Sequence, residues 1–245
     1  MRPKISVIVP IHNEKFSIKP LYLSLQQSMG AVGQSYEIIF VNDASTDGSF
    51  EELSGLCLGN INLTIISLSR KYGQSLAIQA GLDIACGDLI VTIDGDLQND
   101  PQDIAVLLNK MNDGFDMVCG WRHKRKDPYD KVFVSKIACF LRRIITGEQI
   151  HDFGCGLRAF RKDIVKDIYL SSGMHRFFTL IIFRRGYKIG EVKVKHCRRR
   201  FGESKYNIHN RLRECLFGFV GILLEGAPKR IGEKSDYIIS RIIRG

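Results

Sequence analysis

Residues 89–101 read LIVTIDGDLQNDP. An apolar, largely β-branched run drives straight into Asp94-Gly95-Asp96. This is the pattern of a buried strand whose chain turns tightly as it leaves the sheet, with Gly95 permitting the turn. Two carboxylates two residues apart at the C-terminal end of a strand can hold one divalent cation, substrate phosphate oxygens completing its shell. Alone, such a pair reads more simply as an acidic turn that caps a strand. The residues before and after it select the functional reading.

Upstream, short apolar runs alternate with amphipathic stretches. Strands are expected at residues 5–9, 37–41, 63–67 and 89–93, and helices at 16–29, 48–58 and 74–85, where apolar residues keep helical spacing. Strand-helix alternation implies a parallel sheet covered by helices on both faces, and in such sheets ligands bind beyond the carboxyl ends of the strands. Polar clusters fall there: His12-Asn13-Glu14 after the first strand, NDASTDGS (residues 42–49) after the second, and DGDLQ after the fourth. In the second cluster Ser45, Thr46 or Asp47 is expected to cap the following helix. Asp43 then faces the ligand crevice, where a carboxylate can accept a hydrogen bond from a base-ring N–H. Pro10, His12 and Glu14 leave the neighbouring strand at the same edge and can wall the same pocket.

Downstream the pattern is less regular. Strands are expected at 115–120, 156–160 and 187–196, and helices at 131–145, 174–185 and 208–224, the last with arginines at its start. Gly226-Ala227-Pro228 breaks the chain, and residues 237–243 are expected to form a short final helix.

At 245 residues the chain is one large domain, or a domain plus a tail, and its 44% apolar content is that of an ordinary globular protein. Seven scattered cysteines without a CxxC pair argue against a zinc site and a disulfide framework, and for a reducing compartment. The apolar run near the N-terminus is too short for a signal peptide and reads as the first strand. The net charge of +10 is gathered at residues 122–126, Arg142-Arg143, residues 198–200 and the C-terminal third. Such a balance suits nucleotide phosphates, nucleic acid or an anionic membrane surface. No nucleic-acid motif accompanies it, so nucleic acid is set aside. The longest apolar run, 215–224, covers ten residues, against roughly twenty needed to span a bilayer.

Four stretches in order, SVIVPIHNE (6–14), NDASTDGS, IDGDLQ (93–98) and RFGESKY (200–206), together resemble family 2 glycosyltransferases. The resemblance is closest to the dolichol-phosphate mannose synthase and polyprenyl-phosphate glucosyltransferase group and covers about residues 3–206. It implies a GT-A (Rossmann-like) α/β fold, a mostly parallel central sheet flanked by helices, an activated nucleotide sugar, and Mg²⁺ or Mn²⁺. Pro10, Glu14 and Asp43 would contact the nucleoside; the family usually has an aromatic where this chain has His12. Asp94, Asp96 and Gln98 would hold the cation against the diphosphate, where it acts as a Lewis acid.

Residues 152–158, DFGCGLR, match the family's segment of an aspartate, a glycine-rich turn and a basic residue. The glycines would let backbone approach the sugar, with Asp152 and Arg158 at the site's edge; equally, Asp152 can pair locally with Arg158 or cap a turn. His151 beside Asp152 is poor geometry for a shared ion. Arg199 with Gly202, Ser204 and Lys205 matches R-x-x-G-x-S-K, a loop able to close over a diphosphate with the arginine as a bidentate clamp. Arg122 fills a position where the family also has arginine, and Lys131 and Lys136 are further candidates for an acceptor phosphate. Residues 174–177 either line the acceptor entrance or pack in the core.

A hydroxyl acceptor must lose a proton as it attacks, which requires a general base. A polyprenyl phosphate, with a second pKa of roughly 6, is already anionic near neutrality; it needs cations that hold two polyanions together. The arginine and lysine surplus fits the phosphate acceptor, and a basic amphipathic tail fits an anionic membrane. The expectation is an inverting transfer of a hexose from a GDP- or UDP-sugar to a lipid phosphate. Asp96, Asp152, Arg122, Arg199 and Lys205 would form the reactive centre, with Asp152 orienting sugar or acceptor. A glycosyltransferase domain over 1–206 and a helical, membrane-associated segment over 207–245 would place the protein on the cytoplasmic face of a membrane. Many lipid-linked relatives carry membrane spans after the catalytic domain. This chain resembles the shorter members, which sit on the membrane or recruit a membrane-protein partner. The alternatives are a soluble transferase with a glycan hydroxyl acceptor and Asp152 as general base, and a non-enzymic binding module. The intact DGD, Gln98 and GESK stand against the module. A sugar-1-phosphate nucleotidyltransferase would need a glycine-rich basic loop after the first strand, where this chain has HNEK.

Overall fold

A computed structural model of the chain describes residues 2–123, 142–171, 173–199 and 236–245. Strands β1 (Ile5–Ile11), β2 (Tyr36–Asn42), β3 (Leu63–Leu68) and β4 (Leu89–Thr92) alternate with helices α1 (Lys15–Val32), α2 (Ser49–Cys57) and α3 (Gln74–Ile84), close to the expected bounds. Helix α4 (Asp103–Met111) has no counterpart among the expected elements, although Ile104, Leu107, Leu108 and Met111 carry helical spacing and are all buried. Then come β5 (Met117–Trp121), β6 (Arg158–Arg161), a 3-10 turn at Met174–Phe177 running into α5 (Phe178–Arg184), β7 (Ile189–Lys193) and β8 (Ile239–Arg244).

The strands form one sheet in the order β7-β5-β6-β4-β1-β2-β3-β8. β1 pairs in parallel with β2 on one side and β4 on the other, and β2 is parallel to β3. The chain therefore winds outward through β3 and then crosses back over β1. The reversal leaves a crevice between the ends of β1 and β4, where adjacent loops diverge. β6 runs antiparallel between β4 and β5, and β7 is parallel to β5.

Both faces of the sheet are covered at β1 to β4, which explains why those strands read as continuous apolar runs. Val7, Val9, Ile11, Phe40, Ile65 and Val91 pack with residues of α1, α2 and α4. Ile8, Ile39, Val41, Ile66 and Ile90 pack with residues of α3 and α5.

One expectation is corrected. Residues 237–243 were expected as a helix, yet this stretch supplies β8, antiparallel to β3 with Ile65 opposite Ile243 and Thr64 opposite Arg244. Isoleucine is stiff at χ1 and packs well on a pleated surface, and without β8 the wholly buried β3 would be an edge with open backbone groups. The expected helix at 208–224, most of that at 131–145, the 202–205 loop, and Lys131, Lys136, Ser204 and Lys205 lie outside the described residues. Among the described residues no helix is long and apolar enough to cross a membrane.

Candidate active site

The loops after β1 and β2 are knitted into one unit by the polar residues of their motifs. The His12 Nδ1–H donates to the Asp43 carbonyl at 2.7 Å, and the backbone N–H groups of Asn13, Glu14 and Lys15 donate to Ser45 Oγ, Ser49 Oγ and Asp47. Asp47 also accepts the Ser49 N–H at 3.0 Å, satisfying a donor in the first turn of α2. The Asp43 carboxylate is buried and accepts the N–H groups of Tyr72 and Gly73, at 2.6 and 2.8 Å, from the loop that opens α3. Asp43 thus joins the ends of β2 and β3. Among the described residues, Asn13, Ala44 and Leu97 are the non-glycines with left-handed φ, at 56°, 48° and 60°. Each conformation costs about 1 kcal/mol or more, and all three sit in loops bordering the crevice, held by the bonds just named and by the turn after β4.

Beyond β4, Gly95 packs so tightly on β1 that a Cβ there would meet the Ile11 side chain and the Pro10 carbonyl. That contact sets Asp94 and Asp96 against the β1 loop. Gln74, at the start of α3, donates its amide to Asp94 Oδ1 at 2.7 Å, and the Gln98 N–H donates to Asp96 at 3.1 Å. Burial, and then the charge of Asp96, push the Asp94 pKa up to about 6. Two partly buried carboxylates two residues apart can share a cation. Among the described residues no third His, Cys, Asp or Glu completes a ligand cluster. Asp94 and Asp96 are the carboxylates of this crevice that could hold a divalent ion.

Opposite this pair lies the 152–156 turn. Gly156 faces Asp94, and any Cβ on it would land on the Asp94 carboxylate. Asp152 is gripped by Arg122 in a two-pronged pair, Nε to Oδ2 at 2.7 Å and Nη2 to Oδ1 at 2.9 Å, with side chains 13% and 5% exposed. The backbone N–H groups of Arg122 and Gly154 donate to the same carboxylate, both at 3.2 Å. Burial opposes the Arg122 charge, but the hydrogen bonds and charge of Asp152 outweigh it and raise the guanidinium pKa above its ordinary value. Across the crevice Arg199 pairs with Glu14 and reaches Asp96 at 3.8 Å, so one guanidinium links the β1 loop to the carboxylates beyond β4.

Residues 6–169 of this chain match the Glycosyl transferase family 2 profile. The chain belongs to glycosyl transferase family 2. It is 38% identical over 221 residues to a dodecaprenyl-phosphate galacturonate synthase from Rhizobium johnstonii, an alignment that takes in 87% of this chain and 64% of that protein. The chain thus spans less than two thirds of that relative's length. Solved structures share the GT-A fold at low identity. A glucosyl-3-phosphoglycerate synthase from Mycobacterium tuberculosis, in complex with Mn²⁺, UDP and glucosyl-3-phosphoglycerate, superposes with a TM-score of 0.69 at 18% identity, over 97% of this chain and 86% of its own. A mannosyltransferase from Pyrobaculum calidifontis in complex with GDP-Man and Mn²⁺ superposes with a TM-score of 0.67 at 20% identity, over 93% and 66%.

Within this family 2 domain the crevice gathers Pro10, His12, Glu14, Asp43, Asp94, Asp96, Gln98, Arg122, Asp152 and Arg199 around the ends of β1, β2, β4 and β5. Two arginines are placed otherwise than expected. Asp152 pairs with Arg122 and not with its near neighbour Arg158. Arg158 is buried and donates to the carbonyls of His175 and Phe153, both at 3.0 Å, so it braces the turn from behind instead of lining its mouth. Arg142, named above in one of the basic clusters, is held inside by Glu148 at 2.9 Å and stacks on Phe153 with its guanidinium carbon 3.7 Å from the ring centre. Met174 and Phe177 are core, and the His175 Nδ1 meets Ser75 Oγ at 2.7 Å. The residues missed from sequence are Tyr72, Gly73 and Gln74. The signal was available: Ser69-Arg70-Lys71-Tyr72-Gly73 leaves β3 at the same edge as the other polar clusters.

Proposed function

We propose that the chain is an inverting, metal-dependent glycosyltransferase that moves a sugar from a nucleotide sugar to the phosphate of a polyprenyl lipid. The observation that carries this reading is the Arg122–Asp152 pair. Both oxygens of Asp152 already accept hydrogen bonds from a charged arginine. A carboxylate so engaged is poorly suited to take a proton from a hydroxyl, whereas a phosphate acceptor needs no base. The dodecaprenyl-phosphate relative supports the same acceptor class, and the neighbours with UDP or GDP-Man and Mn²⁺ support a nucleotide donor and a divalent ion.

In this reading Asp43, Pro10 and Glu14 hold the nucleoside, and Arg199, lying between Glu14 and Asp96, follows the diphosphate. Asp94, Asp96 and Gln98 would hold Mg²⁺ or Mn²⁺, which when bound supplies Lewis acidity to the departing diphosphate. Arg122, fixed by Asp152, presents positive charge where an acceptor phosphate must approach an anionic donor; Lys131, Lys136, Ser204 and Lys205 are assigned supporting roles by sequence alone. Attack is direct. The cysteines beside the site, Cys119 and Cys155, are pushed by burial to about 12 and 11, and as neutral thiols they are no nucleophiles for a covalent intermediate. Activity on a lipid phosphate places the enzyme at a membrane surface, and the basic sequence after residue 207 supports peripheral association with the cytoplasmic leaflet.

The test is transfer of radiolabel from a panel of UDP- and GDP-sugars into an organic-extractable product, with Mn²⁺ or Mg²⁺ and a short polyprenyl phosphate. Label that requires both metal and lipid phosphate is the expected result, and it names the donor. Metal-dependent donor hydrolysis without organic label would overturn the acceptor assignment in favour of a hydroxyl acceptor.

A further inference from the structure

We propose that Glu191, in the middle of β7, is a positioning residue that holds Asp152 against Arg122; this rests on the transfer reaction proposed above. Glu191 pairs in register with Cys119 of β5, two residues before the end of that strand at Trp121. Its carboxylate, 10% exposed, reaches across to the 151–152 backbone. One oxygen accepts the N–H groups of His151 and Asp152, each at 3.0 Å. The other accepts the His151 N–H at 3.1 Å and the His151 Nδ1–H at 2.7 Å. Every hydrogen bond drawn to this carboxylate among the described residues comes from residues 151 and 152.

The imidazole fixed in this way lies flat on Trp121, with ring centres 4.5 Å apart and planes 17° from parallel. His123 meets the edge of the same indole at 4.8 Å, and the Lys193 ammonium stands 5.5 Å from its ring centre. Trp121 immediately precedes Arg122. Glu191 therefore holds both halves of the pair at once, Asp152 through its backbone N–H and Arg122 through the His151–Trp121 stack. A two-pronged guanidinium–carboxylate contact tolerates little rotation of either partner. Loosening the support behind a reactive group by an ångström can lower turnover about 100-fold, and loss of an outer-shell partner typically lowers activity about 10- to 100-fold.

The test is Glu191→Gln, which keeps the volume but turns an NH₂ group toward N–H donors. In the label-transfer assay kcat per folded enzyme is expected to fall about 10- to 100-fold, while donor affinity stays near wild type. In an Asp152→Asn background the same substitution is expected to add little, because both act through one pair. Independently of any acceptor, the Arg122 Nε–H proton, assigned by its absence in Arg122→Lys, is expected to exchange slowly in the wild type and to be lost in E191Q. Should E191Q not fold, His151→Ala, which spares both backbone amides, is expected to give a smaller loss of the same signal. Wild-type kcat with an intact Arg122 signal would overturn the proposal. So would a kcat loss that tracks only the folded fraction. If the wild type itself transfers nothing to lipid phosphate, the reaction assignment fails and the Arg122 signal alone decides the positioning role.

Discussion

A methyl group on Gly156 would be driven into the carboxylate of Asp94, and Gly156 lies in the turn that Arg158 and Arg142 brace from behind. Because that turn has little room to retreat, Gly156→Ala is expected to displace Asp94. It should abolish the thermal stabilisation given by Mn²⁺ with UDP or GDP, about a 100-fold or greater loss of affinity on the scale of misplaced reactive groups, while the metal-free Tm changes little. Asp94 also sets a pH dependence. Its folded pKa is raised from 3.8 to about 6, so in the metal-free protein its charge is unfavourable. That contribution to stability is greatest below about pH 4 and is lost as pH rises through about 6. A divalent ion relieves the charged form, and a proton competes with it. The Mn²⁺-dependent rise in Tm is therefore expected to be larger at pH 7.5 than at pH 5, and equal shifts at both would contradict this account. Asp43 and Asp94 were legible in the sequence because each is the first acid past an apolar run, and Asp96 because it follows Asp94 by two residues. Glu191 was not, since its partners lie 39 and 40 residues earlier in the chain, and nothing in a loosely alternating strand marks it.

At the scale of elements, the βα alternation of the first half was readable because hydrophobic period and strand-end chemistry agree there. β8 was not. An isoleucine pair recurring after three or four residues fits a helix face as well as a strand buried on one side, and only the vacant edge of β3 decides between them. The consequence is measurable. The sheet relies on the β3–β8 ladder, and Tyr237, buried beside it, donates to Asp83 of α3 at 2.5 Å. Removing residues 236–245 is expected to expose β3, whose residues are all buried, as a hydrophobic edge. The truncated chain should elute as soluble aggregate in size-exclusion chromatography, and a monomeric, fully active truncation would show that β8 is dispensable.

For the whole molecule, the +10 charge is less available than its total suggests. Arg142 is engaged by Glu148, and Arg158 by two backbone carbonyls. The polyanion-binding surplus is correspondingly smaller and lies elsewhere, much of it in the sequence after Arg199. If that region carries the membrane contact, the protein is expected to float with vesicles containing anionic lipid and to be released when salt shortens the Debye length to about 3 Å near 1 M. Replacing the apolar residues of 215–224 with serine should abolish flotation while leaving the metal- and nucleotide-dependent Tm shift intact. Deleting residues 207–245 would be a poor substitute, because it removes a strand of the sheet.

That return of the chain to the sheet has a further implication for how such proteins diversify. The two described residues that flank this part of the sequence are both held: Arg199 pairs with Glu14 at the crevice, and the Asp236 N–H donates to the Tyr169 hydroxyl at 2.8 Å. With both flanks fixed, the sequence between Tyr206 and Asp236 can change in length at the modest entropic expense of closing a longer or shorter connection. Exchanging it between relatives, like changing a blade on a fixed handle, is a route by which one scaffold could be fitted to different lipids.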